Sequence, residues 1–253
     1  MSTTILNAGP HTEIATPADL APRTVMVPLG DGVWQFMDNN HGFLVINGEV
    51  VVLPANKTSI GIREYENNTD LSLVYASNVT SVGGNAFQGC SSLTAVILPA
   101  TTSIPDGMGS TEGVFAGCSS LTTILLPVAT SIGGWAFRAC TALTTVSLPA
   151  ATSLYLGAFY SCTALTTVSL PVASNIEQGA FSNCTSLATV SLPLATTIEN
   201  FAFYSCTALT TIDLSSFTTT QVQENAAGWG IDPPSGHTVT ITCSDGTVTI
   251  TGD

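Results

Sequence analysis

The chain has 253 residues and a mass of 26.0 kDa, with 4 Lys and Arg against 17 Asp and Glu, a formal net charge of -13 and a pI near 4.1. Charged residues are only 8% and hydrophobic residues 45%, so a core is available, and 38 threonines leave much of the surface uncharged and hydroxyl-rich. The four cations, Arg23, Lys57, Arg63 and Arg138, are too few and too dispersed to neutralise a phosphate backbone, which excludes a basic nucleic-acid groove; no stretch reaches the roughly 18 apolar residues of a spanning helix, so no membrane insertion is expected.

The first element is residues 1–76. Its start, MSTTILNAGPHTEIATP, lacks a basic segment followed by an apolar run, so no secretory signal is expected. Eight of the acids lie here: Glu13, Asp19, Asp31, Asp38, Glu49, Glu64, Glu66 and Asp70. Residues 23–54 read as several short strands. Gly-Asp-Gly at 30–32 and Asn-Gly at 47–48 supply turns, the second between FLVI and EVVVL as a hairpin signal. Residues 1–76 are read as a β cap or an attachment domain. VVVLPANKTSIGI partly echoes the repeat that follows, so a degenerate first coil is expected to begin near Val50.

Residues 77–216 are periodic. Cysteines stand at 90, 118, 140, 162, 184 and 206, spaced by 22 except for a first interval of 28. Phe87, Phe115, Phe137, Phe159, Phe181 and Phe203 keep the same register three residues earlier, and Leu93, Leu121, Leu143, Leu165, Leu187 and Leu209 keep it three residues later. A fixed period in the twenties predicts a solenoid of stacked coils. LTTVSL alternates, which places Val146 and Leu148 inward and Thr145 and Ser147 outward, with Leu143 entering from the preceding turn and Pro149 ending the strand. Val82, Ile104, Ile132, Leu154, Ile176 and Ile198 supply a second anchor on the opposite side of each coil. Ala136, Phe137 and Cys140 then predict a short helical or 3₁₀ turn with Phe and Cys inward. The cysteine row is read as buried free thiols filling a narrow slot. It lacks the His or paired-Cys geometry of a tetrahedral metal site.

The units SIGGWAFRACTALTTVSLPAAT, SLYLGAFYSCTALTTVSLPVAS and NIEQGAFSNCTSLATVSLPLAT closely resemble the BspA-like leucine-rich repeat, whose units read roughly I-x-x-x-A-F-x-x-C-x-x-L-x-x-V-x-L-P. The resemblance covers about 77–216. It is interrupted by the insertion IPDGMGSTEG and departs at Ser215, where the proline should stand. It implies a mainly β solenoid of short parallel strands and helical or 3₁₀ turns, used for adhesion, protein binding or surface display, and it carries no catalytic signature.

Residues 217–253 form the last element. A degenerate coil is expected around Val222 to Trp229, followed by a break at Pro233 and Pro234. TVTITC and TVTITG flank Ser-Asp-Gly and predict a β-hairpin that closes the stack. Such terminal hairpins resemble those of repeat proteins encoded by phages and gut bacteria, which raises a phage-encoded member as a reading.

No enzyme constellation is present, so no catalytic residue, cofactor site or metal site is assigned. His11, His41 and His237 have no partner at ligand spacing. A hairpin could bring Asp38 and Glu49 close, yet nothing marks them as a catalytic carboxylate pair. Asp31, Asp38 and Asp245 lie in turn-rich segments, without a calcium-loop pattern. Two surfaces are candidates for binding. One is the outward strand row, with Thr145, Ser147, Thr167, Ser169, Thr189 and Ser191; its simplest reading is β-propensity on an uncharged face. The other is the turn-rich side with Trp135, Tyr155, Tyr160, Tyr204 and Phe201, together with the insertion 105–113; aromatic anchors favour this side for a hot spot.

The resulting expectation is a non-enzymatic structural or attachment protein, located in a virion or at the cell surface or outside the cell. As a phage virion component it would hold capsid or tail proteins through residues 1–76. The alternatives are an independent bacterial adhesin or protein-binding module with a protein or glycan partner, and an ice-binding Thr-x-Ser face. The bare ends of a strand stack also make homo-oligomerisation an expectation.

Overall fold

The computed structural model describes residues 24–30, 33–38, 43–46, 49–54, 56–109 and 111–253, with 24–52 described by backbone course alone. The Asn-Gly turn, the Asp-Gly of the first turn, Glu13, Asp19, Arg23, His11 and His41 lie outside the described residues, as do the side chains of Asp38 and Glu49. Thr24–Gly30 pairs antiparallel with Val33–Asp38, and Phe43–Ile46 pairs antiparallel with Glu49–Val52.

From residue 59 onward the chain winds through seven coils: 59–75, 81–97, 103–125, 131–147, 153–169, 175–191 and 197–214. Each has a two-residue back strand, a tight turn segment and a short front strand. Equal coil length makes equivalent residues stack in parallel register. On the back, Ile104, Ile132, Leu154, Ile176 and Ile198 are successive partners. Ile60 pairs with Val82 in the same way, so the partial echo at 50–62 leads into a coil of the stack. The front ladder crosses the 76/77 division, because Leu71–Tyr75 pairs parallel with Ala95–Ile97 and antiparallel with Phe43–Ile46.

A third ladder runs along the turns. The Phe115 N–H donates to the Ala136 carbonyl at 2.8 Å, and Phe137 and Phe159 repeat this with Ala158 and Ala180 at 2.8 Å. The backbone of the turns thereby finds partners in the adjacent coil. The turns themselves are chains of i→i+3 bonds, for example Arg138 N–H to Trp135 O at 3.0 Å and Cys140 N–H to Phe137 O at 3.2 Å. They do not continue as a 3₁₀ helix, because Trp135 (φ 58°) and Ala139 (φ 57°) reverse the backbone hand inside the segment.

The core is a column. Tyr65, Phe87, Phe115, Phe137, Phe159, Phe181 and Phe203 stack nearly parallel, with ring centroids 5.1 to 5.8 Å apart. The spacing follows the distance between paired strands, about 4.8 Å. All six phenylalanines are fully buried, each worth about 1.5–3 kcal/mol of apolar transfer. All seven cysteines are buried and unbridged.

The front ladder is divided. Leu71–Tyr75, Ala95–Ile97 and Thr123–Leu125 belong to one sheet, and Thr145–Ser147 begins another. No backbone hydrogen bond joins Thr123–Leu125 to Thr145–Ser147, although the back and turn ladders continue between the same two coils. Ile124 is consequently only partly buried, whereas its counterpart Val146 is 1% exposed.

The far end is capped. Thr219–Asn225 is a helix opened by a capping box between Thr218 and Gln221. It buries Val222, and the chain then supplies Gly228 and Trp229 carbonyls to the N–H groups of Phe201 and Phe203 at 2.8 Å. Thr238–Cys243 adds parallel to Thr211–Leu214, and Gly246–Thr251 folds back on it antiparallel. Asp245 is engaged at this cap, accepting from the Thr219 N–H at 2.8 Å.

An aromatic groove as candidate functional site

The residue before each Ala-Phe pair occupies the left-handed region, at Asn85, Trp135, Gly157, Gly179 and Phe201, and so does Arg63 at the equivalent place before Glu64-Tyr65, with φ between 53° and 63°. The turn ladder requires this. The reversed backbone lets the Trp135 N–H reach Leu156 O at 2.9 Å and the Phe201 N–H reach Gly228 O at 2.8 Å. Glycine adopts such a φ freely, whereas a bulky aromatic is disfavoured there by about 1–2 kcal/mol. Gly157 and Gly179 therefore fit the backbone, and Trp135 and Phe201 strain it.

These residues, with the row that follows each Phe, shape a groove. Along one row run Trp135, Gly157, Gly179 and Phe201. Along the next run Arg138, Tyr160, Ser182 and Tyr204. Gly179 and Ser182 are small and buried, so the coil at 175–191 forms a floor between larger neighbours. The cavity measures about 420 Å³ and is lined by Trp135, Leu156, Tyr160, Gln178, Gly179, Ser182, Phe201 and Tyr204. Trp135 meets Tyr160 edge-on with centroids 5.4 Å apart, and Phe201 meets Tyr204 edge-on at 6.0 Å. Phe201 and Tyr204 are about half exposed, at 50% and 52%, which is costly in water unless a ligand covers them.

A second cavity of about 300 Å³ adjoins the first, sharing Trp135 and Leu156. Tyr155, Asp106, Glu177 and the glycines 107, 109 and 134 complete its lining. Asp106 comes from the insertion, whose ends are tied by a bridge between Asp106 and Gly113. Fully buried Asn85 holds the insertion from below: its Nδ2 donates to Glu112 at 2.5 Å and its Oδ1 accepts from the Met108 N–H at 3.0 Å. The carboxylates are oriented by backbone donors. Gly134 N–H reaches Asp106 Oδ1 at 2.6 Å, Leu156 N–H reaches Glu177 Oε2 at 3.1 Å and Gln178 N–H reaches Glu199 Oε2 at 3.1 Å. Burial raises the Glu177 carboxyl above its ordinary pKa, and the charges of Glu199 and Asp106 add to the rise.

Of the residues singled out from sequence, Trp135, Tyr160 and Tyr204 are brought together in the first groove, and Tyr155 joins Trp135 in the second. Thr145, Thr167 and Thr189 form a separate exposed row in register, with Ser147, Ser169 and Ser191 beside it. Thr211, Thr240 and Thr249 extend the threonine row across the C-terminal cap. Sequence reasoning missed Leu156, Gln178, Ser182 and Glu177, and reached Asp106 only as part of the insertion 105–113. A comparison of the rows contains the signal for the groove, since Gly179 and Ser182 stand where other coils carry Trp, Phe or Tyr.

The groove presents π faces, phenols, a carboxamide and a hydroxyl. That inventory can hold a ligand by stacking and hydrogen bonding. The column thiols are held protonated, because burial pushes their pKa up, to about 11 for Cys90 and well above the ordinary value for Cys118 and Cys140. Among the described residues, no group of three or more His, Cys, Asp or Glu is placed to hold a metal ion, and no helix is long and apolar enough to cross a membrane.

The sequence matches the BspA type leucine rich repeat region in six copies, over residues 39–108 and 110–227. The chain belongs to this repeat family. Leucine-rich repeats of this type are typically non-enzymatic binding scaffolds, and proteins carrying them are usually found at surfaces or outside the cell. No curated protein matches the chain. Among solved structures, a leucine rich repeat protein of T. pallidum is similar at 26% identity and a TM-score of 0.49, over 64% of this chain and 73% of its own. A leucine-rich repeat protein of Bacteroides ovatus is similar at 25% identity and a TM-score of 0.47, over 77% of this chain and 46% of its own. A leucine rich cell surface protein of Faecalibacterium prausnitzii is similar at 19% identity and a TM-score of 0.41, over 81% and 71%.

Proposed function

We propose that this leucine-rich repeat protein is a non-enzymatic adhesin-like binding module whose ligand seats in the turn-side aromatic groove. The observation that carries this reading is the pairing of strain with exposure. Trp135 and Phe201 hold left-handed backbone positions that Gly157 and Gly179 fill without strain, and both aromatics wall the same cavity. Strain of this kind is retained where surrounding structure enforces it and tends to cluster at ligand sites. A part serving only as a spacer or shell within a larger particle has no use for such a groove, so the independent module is preferred to a virion component anchored through residues 1–76.

Purified, immobilised extracellular proteins and glycans probed with labelled protein test the reading. The control is a variant carrying Trp135→Gly, Phe201→Gly and Tyr204→Ser, with unchanged circular dichroism. Binding by the native chain that the variant loses supports the groove. Binding retained by the variant, or lost instead when Thr167 and Thr189 are replaced by Lys, moves the site to the threonine row and overturns it.

A further inference from the structure

The second cavity differs from the first in charge. Its lining joins the Trp135 indole and the Tyr155 ring to the carboxylates of Asp106 and Glu177, and no cation lines either cavity. Two of the four cations are engaged elsewhere: Lys57 pairs with Glu64 at 2.7 Å, and Arg63 pairs with Glu112 at 3.2 Å and Glu66 at 3.7 Å; Arg138 stands in the row of Tyr160 and lines neither cavity. Each cavity carboxylate spends one oxygen on a backbone N–H, at Gly134 for Asp106 and at Leu156 for Glu177. Asn175 also hydrogen-bonds the Glu177 side chain, and each carboxylate, with two oxygens and about four lone pairs, keeps acceptor capacity for a donor from outside.

We propose that this cavity receives an arginine side chain of a protein partner, with the guanidinium stacked on Trp135 and its N–H groups directed to Asp106 and Glu177. The inference rests on the groove reading and specifies the partner's chemistry. A guanidinium meets both demands of the site at once, because its plane stacks on an aromatic face while its edge donates to carboxylates. Lysine supplies a more strongly hydrated point charge without a stacking plane. The net charge of -13 attracts a basic partner at long range, and the indole and the two oriented carboxylates would then select arginine at contact. Neither observation depends on the threonine face.

The test uses the full chain and a fluorescein-labelled peptide of alternating Gly and Arg, with its lysine and citrulline counterparts, at physiological ionic strength. Citrulline keeps the shape of arginine and removes the charge. Binding is expected for the arginine peptide, weaker binding for lysine, and none for citrulline. The double variant Asp106→Asn with Glu177→Gln should lose about tenfold or more, as should Trp135→Gly. Asp213→Asn, a charge change on the strand face, should leave binding unchanged.

Failure of the native chain to bind the arginine peptide overturns the proposal. Equal losses in Asp213→Asn and in the double variant also overturn it, since they report general attraction to an acidic surface. Loss with Trp135→Gly but not with the double variant overturns the arginine assignment while leaving the aromatic groove as a site. No loss with either variant overturns both readings together.

Discussion

The thiol of Cys140 donates to the carbonyl oxygen of Phe115, with Sγ and O 3.3 Å apart. The same bond joins Cys118 to Phe87, Cys162 to Phe137, Cys184 to Phe159 and Cys206 to Phe181, all between 3.1 and 3.2 Å. Cys90 repeats it with Tyr65 at 3.0 Å. The cysteine thus does two things. It fills a small apolar slot, and it stitches each coil to the one before it by a weak S–H donor. Alanine would do neither fully.

Cys140→Ala is expected to destabilise the fold by about 1–2 kcal/mol, from a small cavity and one lost weak bond. The Phe115 carbonyl remains satisfied by the Cys118 N–H at 3.2 Å, so the cost stays below that of an orphaned polar group. Cys140→Asp buries a carboxylate among stacked phenyl rings and should prevent folding. Urea melts of the two variants check both statements.

The thiols also predict alkaline behaviour. Burial raises their folded pKa above the ordinary 9.0, to about 11 for Cys90. A group whose folded value is raised contributes stability fully below its unfolded value, and that contribution is lost as pH rises through the folded value. Stability should therefore fall from about pH 9 upward and fall less in Cys90→Ala. Alkylation by iodoacetamide at neutral pH should label the buried column only after unfolding. Denaturant melts across pH and mass spectrometry of labelled protein are the measurements.

Backbone strain at the groove can be moved by substitution. Phe201→Gly removes a half-exposed ring from a φ of 61°, so its melting temperature should stay at or above that of the native chain. Gly157→Ala does the opposite. It puts a Cβ at φ 60° and within 2.4 Å of the Trp135 ring. A loss of about 1–3 kcal/mol and a shift in tryptophan emission are expected. Calorimetry and fluorescence separate the two cases.

The divided front ladder should be visible by amide exchange. Thr166 N–H bonds Thr144 O at 2.8 Å and Leu148 N–H bonds Ser169 O at 3.3 Å, while the corresponding amides Thr144 and Leu126 meet no partner across the division. Thr144 and Leu126 should exchange faster than Thr166 and Leu148. Equal protection at the four sites would show a continuous ladder.

Much of the fold is legible in the repeat itself. The 22-residue spacing of Phe137, Cys140 and Leu143 dictated that each stack on its equivalent, because coils of equal length pair in parallel without a change of register. The inward direction of Val146 and Leu148 followed from strand alternation, and the free state of the thiols followed from their regular single-file placement. Tyr65 was less legible, since its coil carries Asn68 where later coils carry Cys, yet its ring begins the aromatic stack.

Tertiary structure alone decided the surface. Asp106 arises in an insertion and Glu177 in a regular coil, and only the winding of the stack brings them to one cavity beside Trp135. The groove exists because buried Gly179 and Ser182 lie between larger side chains of neighbouring coils. A repeat constrains the positions that face the core, where every coil must satisfy the same packing. It leaves the outward positions free to differ, and a cavity built from several coils depends on how those differences meet in space. The same reasoning covers the front ladder: Ile124 and Val146 obey one sequence pattern, and the path of the backbone between them separates the strands on which they stand.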